Sequence, residues 1–156
     1  MPCIRSESIE VFADYFQFYV QDGGVNPPAP EDWTDADVAH RAKAAASVVV
    51  VCPVRNMPVP VQVELHDLAP ELHTSAADHV VECSLALPSG HLQIHECTAG
   101  PVLNWQLEPG QYEVAVLYSC LGSLSDDGLD GDDHYQVLLW RGAERPLRVL
   151  KEWSEQ

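Results

Sequence analysis

Apolar and polar residues alternate along most of the chain with the two-residue period of half-buried β-strands. In the clearest case, Val59, Val61, Val63 and Leu65 share one face, and the residues between them are polar or proline. The segment from Ser47 to Cys52 differs, because its continuous run of valines is typical of a strand buried on both faces. Short strands at close intervals favour a β-sandwich or a barrel.

Eight or nine strands are predicted from this patterning. They cover residues 8–20, 47–52, 59–66, 81–87, 91–97, 103–107, 112–120, 135–140 and 147–153. The apolar positions of the first strand change parity near Tyr15, as a β-bulge would cause. Pro109-Gly110 predicts a hairpin between its flanking strands, and Gly142 is predicted to lie between the two strands of a closing pair.

A single short helix is predicted near residues 34–45. Thr34 and Asp37 have the spacing of a capping box, with Asp in place of the usual Glu, and an alanine-rich stretch follows. The expected fold is therefore all-β, a mainly antiparallel β-sandwich or a barrel-like variant of it, with this one helix. At 156 residues, the chain has the length of a single domain, covering residues 1–156.

The charge balance restricts the classes of partner. Eight Lys and Arg residues face 24 Asp and Glu residues, which gives a net charge of −16 with histidine neutral. Nucleic acids and anionic membranes need a positive protein surface, so neither is an expected partner. Such a charge favours a partner with a basic surface, although acidity can also serve solubility alone.

Five cysteines are present: Cys3, Cys52, Cys83, Cys97 and Cys120. Their number is odd and no pair has C-x-x-C spacing, so we expect free thiols in a cytoplasmic protein. Cys52, Cys83 and Cys120 are expected to pack as small hydrophobic residues within strands. The first residues lack the apolar segment of a secretory signal, and no apolar run approaches the length of a membrane span.

The densest chemical feature is the acidic loop, which we define as residues 122–133. It contains five carboxylates within eight positions, those of Asp126, Asp127, Asp130, Asp132 and Asp133. Three interpretations stay open: a solvated loop, a docking surface for a basic partner, or a calcium site with Asp126, Asp130 and Asp132 as candidate ligands. The spacing does not fit an EF-hand, so we expect no cofactor, with calcium as the alternative.

Other residue patterns indicate no catalytic site. His91 and His95 lie four positions apart on a predicted strand, about 13 Å from each other, and therefore cannot chelate one ion. The chain contains no nucleophile elbow, phosphate-binding glycine loop or dinucleotide fingerprint. We therefore expect a protein that is not an enzyme.

Two further features bear on binding. Trp33, between acidic residues, is either an exposed anchor for a partner or a staple that holds the helix on the core.

Four basic residues follow the acidic loop, and we expect them to neutralise part of it. They are Arg141, Arg145, Arg148 and Lys151.

Two segments carry a resemblance to a known family. The bacterial competence protein J family is similar to this chain in the segment Asp32-Trp33-Thr34-Asp35 and in the alanine-rich stretch that leads from it into a buried strand. The Leu-x-Pro-Gly-x-Tyr turn of the same arrangement resembles the segment from Leu107 to Tyr112. Members of that family inhibit a DNA-entry nuclease by binding it. The segment from Asp126 to Trp140 is instead similar to uncharacterised bacterial proteins of this size.

The resemblance and the charge together predict a small acidic binding protein of the nuclease-inhibitor or immunity-protein type. It would occlude a basic partner through Trp33 and the five aspartates of the acidic loop. The alternative is a β-sandwich module that binds calcium or a small ligand.

Overall fold

A computed structural model describes residues 3–154 and contains two β-sheets packed face to face. The strands and the α-helix, in chain order, are β1 (Cys3–Phe12), β2 (Phe18–Asp22), α1 (Asp35–His40), β3 (Ala42–Ala45), β4 (Val48–Val51), β5 (Pro58–His66), β6 (His79–Leu87), β7 (His91–Glu96), β8 (Pro101–Gln106), β9 (Gly110–Ser119), β10 (His134–Arg141) and β11 (Arg148–Lys151). Short 3-10 turns lie at Asp14–Phe16, Thr74–Ala76 and Leu121–Ser123.

The first sheet has six strands in the order β1-β5-β10-β9-β6-β11, and the second has five in the order β3-β4-β2-β7-β8. All described strand pairs are antiparallel except β5 and β10, which run parallel in the middle of the first sheet. Neither sheet closes on itself, so the fold is an all-β sandwich rather than a barrel.

The main core lies between the two sheets, where the inward-facing residues of both interdigitate. The alternation seen in the sequence of β5 is reproduced, with Val59, Val61 and Val63 buried. Strand β9 is instead buried along most of its length. A second apolar cluster, which includes Leu117 and Trp140, covers its outer side.

The predicted first strand is wrong in one respect, because residues 8–20 contribute to two strands in different sheets. Strand β1 pairs with β5 in the first sheet, and β2 pairs with β4 and β7 in the second. Between them, Tyr15 and Phe16 adopt left-handed backbone angles, with φ of 57° and 59°. The parity change near Tyr15 therefore marks a crossing between sheets and not a bulge.

Two predicted strand pairs are also wrong. Pro109-Gly110 does not form a hairpin, because β8 pairs with β7 in the second sheet and β9 pairs with β6 and β10 in the first. The closing pair around Gly142 does not form either. Strand β10 lies between β5 and β9, while β11 pairs with β6. A turn signal fixes where a strand ends but does not select its neighbour.

The helix is present but shorter than predicted. Its capping box is confirmed, since Thr34 Oγ1 accepts from the Asp37 N–H and Asp37 Oδ2 accepts from the Thr34 N–H. It ends at His40, because Arg41 has a left-handed φ of 58°. The following alanines form β3 and pair with β4, so sheet pairing outweighs their helical propensity. Among residues 3–154, no helix has the length and apolar character needed to cross a membrane.

All five cysteines are free thiols. Cys83 is buried in the core within β6, as expected. Cys52 is partly buried, but it lies just after β4 and not within a strand. The prediction for Cys120 is wrong, because this residue is exposed just after β9 with a left-handed φ of 56°.

Candidate functional site

A cleft of about 1240 Å³ opens between the end of helix α1 and the acidic loop. Segments distant in sequence line it. They are the sheet-crossing turn at 15–17, the helix region with Trp33 and Arg41, the segment 52–54 after β4, part of the acidic loop, and residues 151–154. The cleft therefore brings Trp33 together with Asp126 and Asp127, which the sequence had singled out separately.

The acidic loop is held by its own hydrogen bonds. Asp127 Oδ1 accepts from the Ser125 hydroxyl at 2.7 Å and from the Leu129 N–H at 3.0 Å. These two bonds lower the pKa of Asp127 below its ordinary value. The Ser125 hydroxyl also accepts from the Asp130 N–H at 3.0 Å. Four of the five aspartates, all except Asp133, remain exposed to solvent.

Asp133 is different, because its side chain is completely buried. It accepts from Arg55 Nε at 2.9 Å and from the Tyr135 hydroxyl at 2.7 Å. Arg55 also donates to the carbonyl of Leu129 within the loop. Asp133 therefore fastens the acidic loop to the core, and its buried side chain is not available to bind a partner.

The loop carboxylates do not form a set of three side chains whose ligand atoms lie within 4.8 Å of one another. In the part of the chain from residue 3 to residue 154, one set of three metal-ligating side chains has ligand atoms within 4.8 Å of one another, and it contains no residue of the acidic loop. Calcium binding by Asp126, Asp130 and Asp132 stays a prediction from the sequence.

Trp33 lines the cleft and is partly exposed. It is not among the side chains packed on the core, which disfavours the staple interpretation. Its indole N–H donates to the Pro30 carbonyl, and the Lys43 ammonium lies 5.9 Å from its ring centroid. Lys43 also pairs with Asp37 at 2.7 Å, and this contact lowers the pKa of Asp37 to about 2. The ring is therefore held in place by polar contacts.

Two aromatic residues in the cleft were missed by the sequence reasoning. Tyr15 and Phe16 are 68% and 50% exposed, although both are large and apolar. Their left-handed backbone is rare for bulky residues, and such strain concentrates at functional sites. The Asp14 carboxylate holds the turn by accepting from the Tyr15 N–H and from the Thr98 hydroxyl. The parity change near Tyr15 was the available signal.

The late basic residues do not neutralise the acidic loop, which corrects that expectation. Arg145 pairs with Glu113 at 2.8 Å and Arg148 with Glu82 at 2.7 Å, both on the first sheet. Lys151 donates to the carbonyl of Thr74. Asp126 and Asp127, the two loop aspartates that line the cleft, therefore have no ion pair with these residues. Along the whole cleft lining, four carboxylates face two cationic side chains, which leaves the lining net negative.

The two histidines with four-residue spacing also lie as predicted, on strand β7. The His91 ring contacts Asn104, and the His95 ring contacts the carbonyl of Glu96. These partners agree with a structural role for both rings.

Comparisons with known proteins show which solved structures share the fold of this chain. No protein-family model matches the chain, and no curated protein sequence matches it. Among solved structures, ComJ from Bacillus subtilis, described as the inhibitor of the DNA degrading activity of NucA, superposes with a TM-score of 0.67 at 18% identity. The match covers 90% of this chain and 98% of ComJ.

The chain has the fold of ComJ. A second solved structure with this fold, described as crocagin biosynthetic gene J, matches with a TM-score of 0.59 at 23% identity and covers 92% of this chain and 100% of its own. The resemblance to the competence protein J family is thereby confirmed at the level of the fold.

Proposed function

We propose that this chain is a cytoplasmic binding protein that inhibits a nuclease, or protects against a nuclease-type toxin, by occluding its basic surface. The observation that carries the proposal is the cleft in which Trp33, the exposed Tyr15 and Phe16, and Asp126 and Asp127 of the acidic loop lie together. The likeness of fold to an inhibitor of DNA degradation supports the same conclusion. The five free thiols agree with a reducing compartment.

Electrostatics favours such an occlusion. A nuclease that binds DNA presents a positively charged surface to the phosphate backbone. The present chain carries a net charge of −16, and carboxylates outnumber cations along its cleft. Complementary charge accelerates the encounter of two proteins and fixes their orientation, and this effect weakens as salt screens it.

The aromatic residues would supply most of the binding energy. Binding hot spots are enriched in Trp, Tyr and Arg and lie near the centre of an interface. Trp33 and Tyr15 both line the cleft, and Phe16 adds apolar area beside them. A partner that buries these rings would gain hydrophobic free energy at little entropic cost, because hydrogen bonds already fix the turn and the indole.

The test is inhibition of DNA degradation by a panel of cationic nucleases, measured at low and at physiological salt. We expect at least one nuclease to be inhibited, with an on-rate that falls as salt rises. Two double variants should weaken inhibition at least tenfold: Asp126→Asn with Asp127→Asn, and Tyr15→Ala with Trp33→Ala. The first should act mainly on the on-rate and the second on the off-rate.

A matched control removes the same charge elsewhere. Glu10 and Glu144 are exposed and lie outside the cleft. The double variant Glu10→Gln with Glu144→Gln should therefore inhibit as well as the native chain. The proposal fails if no nuclease in the panel is bound at low salt, or if the control weakens inhibition as much as the cleft variants.

A further inference from the structure

A second cluster of reactive side chains lies at one end of strands β1 and β5, away from the cleft. It consists of Cys3, Glu64 and His66, each of which offers a ligand atom within 4.8 Å of the other two. None of the three lines the cleft. No spacing in the sequence suggested this set, because Cys3 and His66 are 63 positions apart and only strand pairing joins them.

A β-bulge brings Cys3 beside His66. Arg5 pairs with Leu65, but Cys3 pairs with His66, so Ile4 is an extra residue in β1. Arg5 lies on the side of the sheet that faces Trp105, with its guanidinium 4.6 Å from the ring centroid. In a regular strand Cys3 would share that side, since residues two apart face the same way. Bulges commonly redirect a side chain in this manner next to functional sites.

His66 supplies a second, independent observation. Its side chain is 8% exposed, and its Nδ1 is buried without a hydrogen-bond partner among residues 3–154. Its Nε2 lies 2.9 Å from Glu64 Oε1. A carboxylate can only accept, so Nε2 carries the proton in this structure. Two ligand atoms at this spacing can bind one tetrahedral ion once the ring proton moves from Nε2 to the unpaired Nδ1, so the imidazole nitrogen that faces Glu64 is the candidate metal ligand.

The donor set selects a class of ion. A thiolate, an imidazole and a carboxylate together suit zinc and similar transition metals, whereas calcium and magnesium take oxygen ligands. We propose that Cys3, Glu64 and His66 form a Zn²⁺ site with an open coordination position. The Cys3 thiol, which now lies 3.1 Å from the Arg5 carbonyl, would lose its proton to solvent as the sulfur–metal bond forms. The site shares no residue with the cleft, so it stands independently of nuclease inhibition.

The test uses the untagged full chain under reducing conditions. Zn²⁺ affinity is measured by competition with a chromophoric chelator, and Co²⁺ is added separately as a spectroscopic probe. We expect one bound Zn²⁺ per chain and a thiolate-to-cobalt charge-transfer band. Cys3→Ser and His66→Gln should each weaken Zn²⁺ binding at least tenfold, and Cys3→Ser should abolish the band.

Matched controls come from elsewhere on the surface. Cys120 and His73 are exposed, so Cys120→Ser and His73→Gln should leave the affinity and the band unchanged. Cys3 is itself exposed, and its conversion to serine should not disturb folding. The proposal is overturned if the native chain fails to compete for Zn²⁺, if Cys3→Ser binds as tightly as the native chain, or if the cobalt complex lacks the thiolate band.

Discussion

The five aspartates of the acidic loop differ in what their side chains contact. Asp126, Asp127, Asp130 and Asp132 are exposed, and only Asp133 is buried. Burial raises the pKa of Tyr135 well above its ordinary value, and the hydrogen bond to Asp133 adds to this effect. The phenol therefore stays protonated and donates to Asp133. One residue type thus serves both the surface charge and the anchoring of the loop.

Asp133→Ala should destabilise the fold by about 3–5 kcal/mol, because it leaves the Arg55 guanidinium buried without its partner charge. The Arg55 side chain is only 10% exposed, so solvent cannot replace that partner fully. Urea unfolding measures the loss. Asp126→Ala is the control and should change the unfolding free energy by less than about 0.5 kcal/mol. Equal effects of the two substitutions would contradict the anchoring role.

His79 is a fully buried histidine whose two ring nitrogens both have partners. Nδ1 accepts from the Trp153 N–H at 3.1 Å, so Nε2 carries the proton and donates to the His40 carbonyl at 2.6 Å. The ring edge packs on Tyr118 with centroids 4.8 Å apart. Burial lowers the pKa of His79 below its ordinary value, and the nearby Arg41 lowers it further. The folded chain therefore favours the neutral ring.

This lowered pKa predicts a loss of stability in acid. The unfolded chain binds a proton on His79 below about pH 6.5, while the folded chain resists it. The contribution is thus fully present above that pH and is lost as the pH falls through the folded pKa. Urea midpoints at pH 8 and pH 5.5 should differ less for His79→Gln than for the native chain. His73→Gln, which alters an exposed histidine, should keep the native difference; if it does not, the effect belongs to another group.

Among the elements, the turn between β1 and β2 decides how the chain enters the sandwich. It carries the chain from one sheet to the other within Ala13 to Gln17. The left-handed φ of Tyr15 costs backbone energy that a glycine would not incur. Because the Tyr15 ring is mostly exposed, its packing contributes little to the stability of the fold in the absence of a partner. We interpret the strain as serving partner binding.

Tyr15→Gly should therefore keep the stability of the fold or raise it by about 1 kcal/mol, while it weakens inhibition. Thermal unfolding and the nuclease assay measure the two effects. Phe12→Gly is the control, since Phe12 is another exposed aromatic residue but lies in the extended strand β1. There glycine should destabilise the fold by about 0.5–1 kcal/mol. A marked loss of stability in Tyr15→Gly would show that the ring has a packing role instead.

Whether a segment forms a strand or a helix was predictable where its hydrophobic pattern or its capping residues were clear. The valines of β4 and the alternation of β5 follow from burial of one or both strand faces. The capping box fixed where helix α1 begins. Helix length and strand partners were not predictable, because alanine also fits a strand that pairs with β4, and because Pro109-Gly110 turns the chain without choosing a sheet.

On the scale of the whole molecule, the candidate site is a product of the packing of distant segments. Trp33 and Asp126 are 93 positions apart, and both line one cleft. The net charge of −16 acts at longer range and belongs to no single segment. A partner approaching this molecule would respond first to the overall charge and then to the shape and the aromatic residues of the cleft.

The sequence by itself determined the all-β class, the capped start of the helix, the free thiols and the acidic charge, because periodicity, capping and composition are local or additive properties. Only the tertiary structure decided the crossing between sheets, the burial of Asp133 and the meeting of Cys3 with His66. These depend on which strands become neighbours. That choice is made by the packing of two whole sheets on one core, and no segment carries it alone.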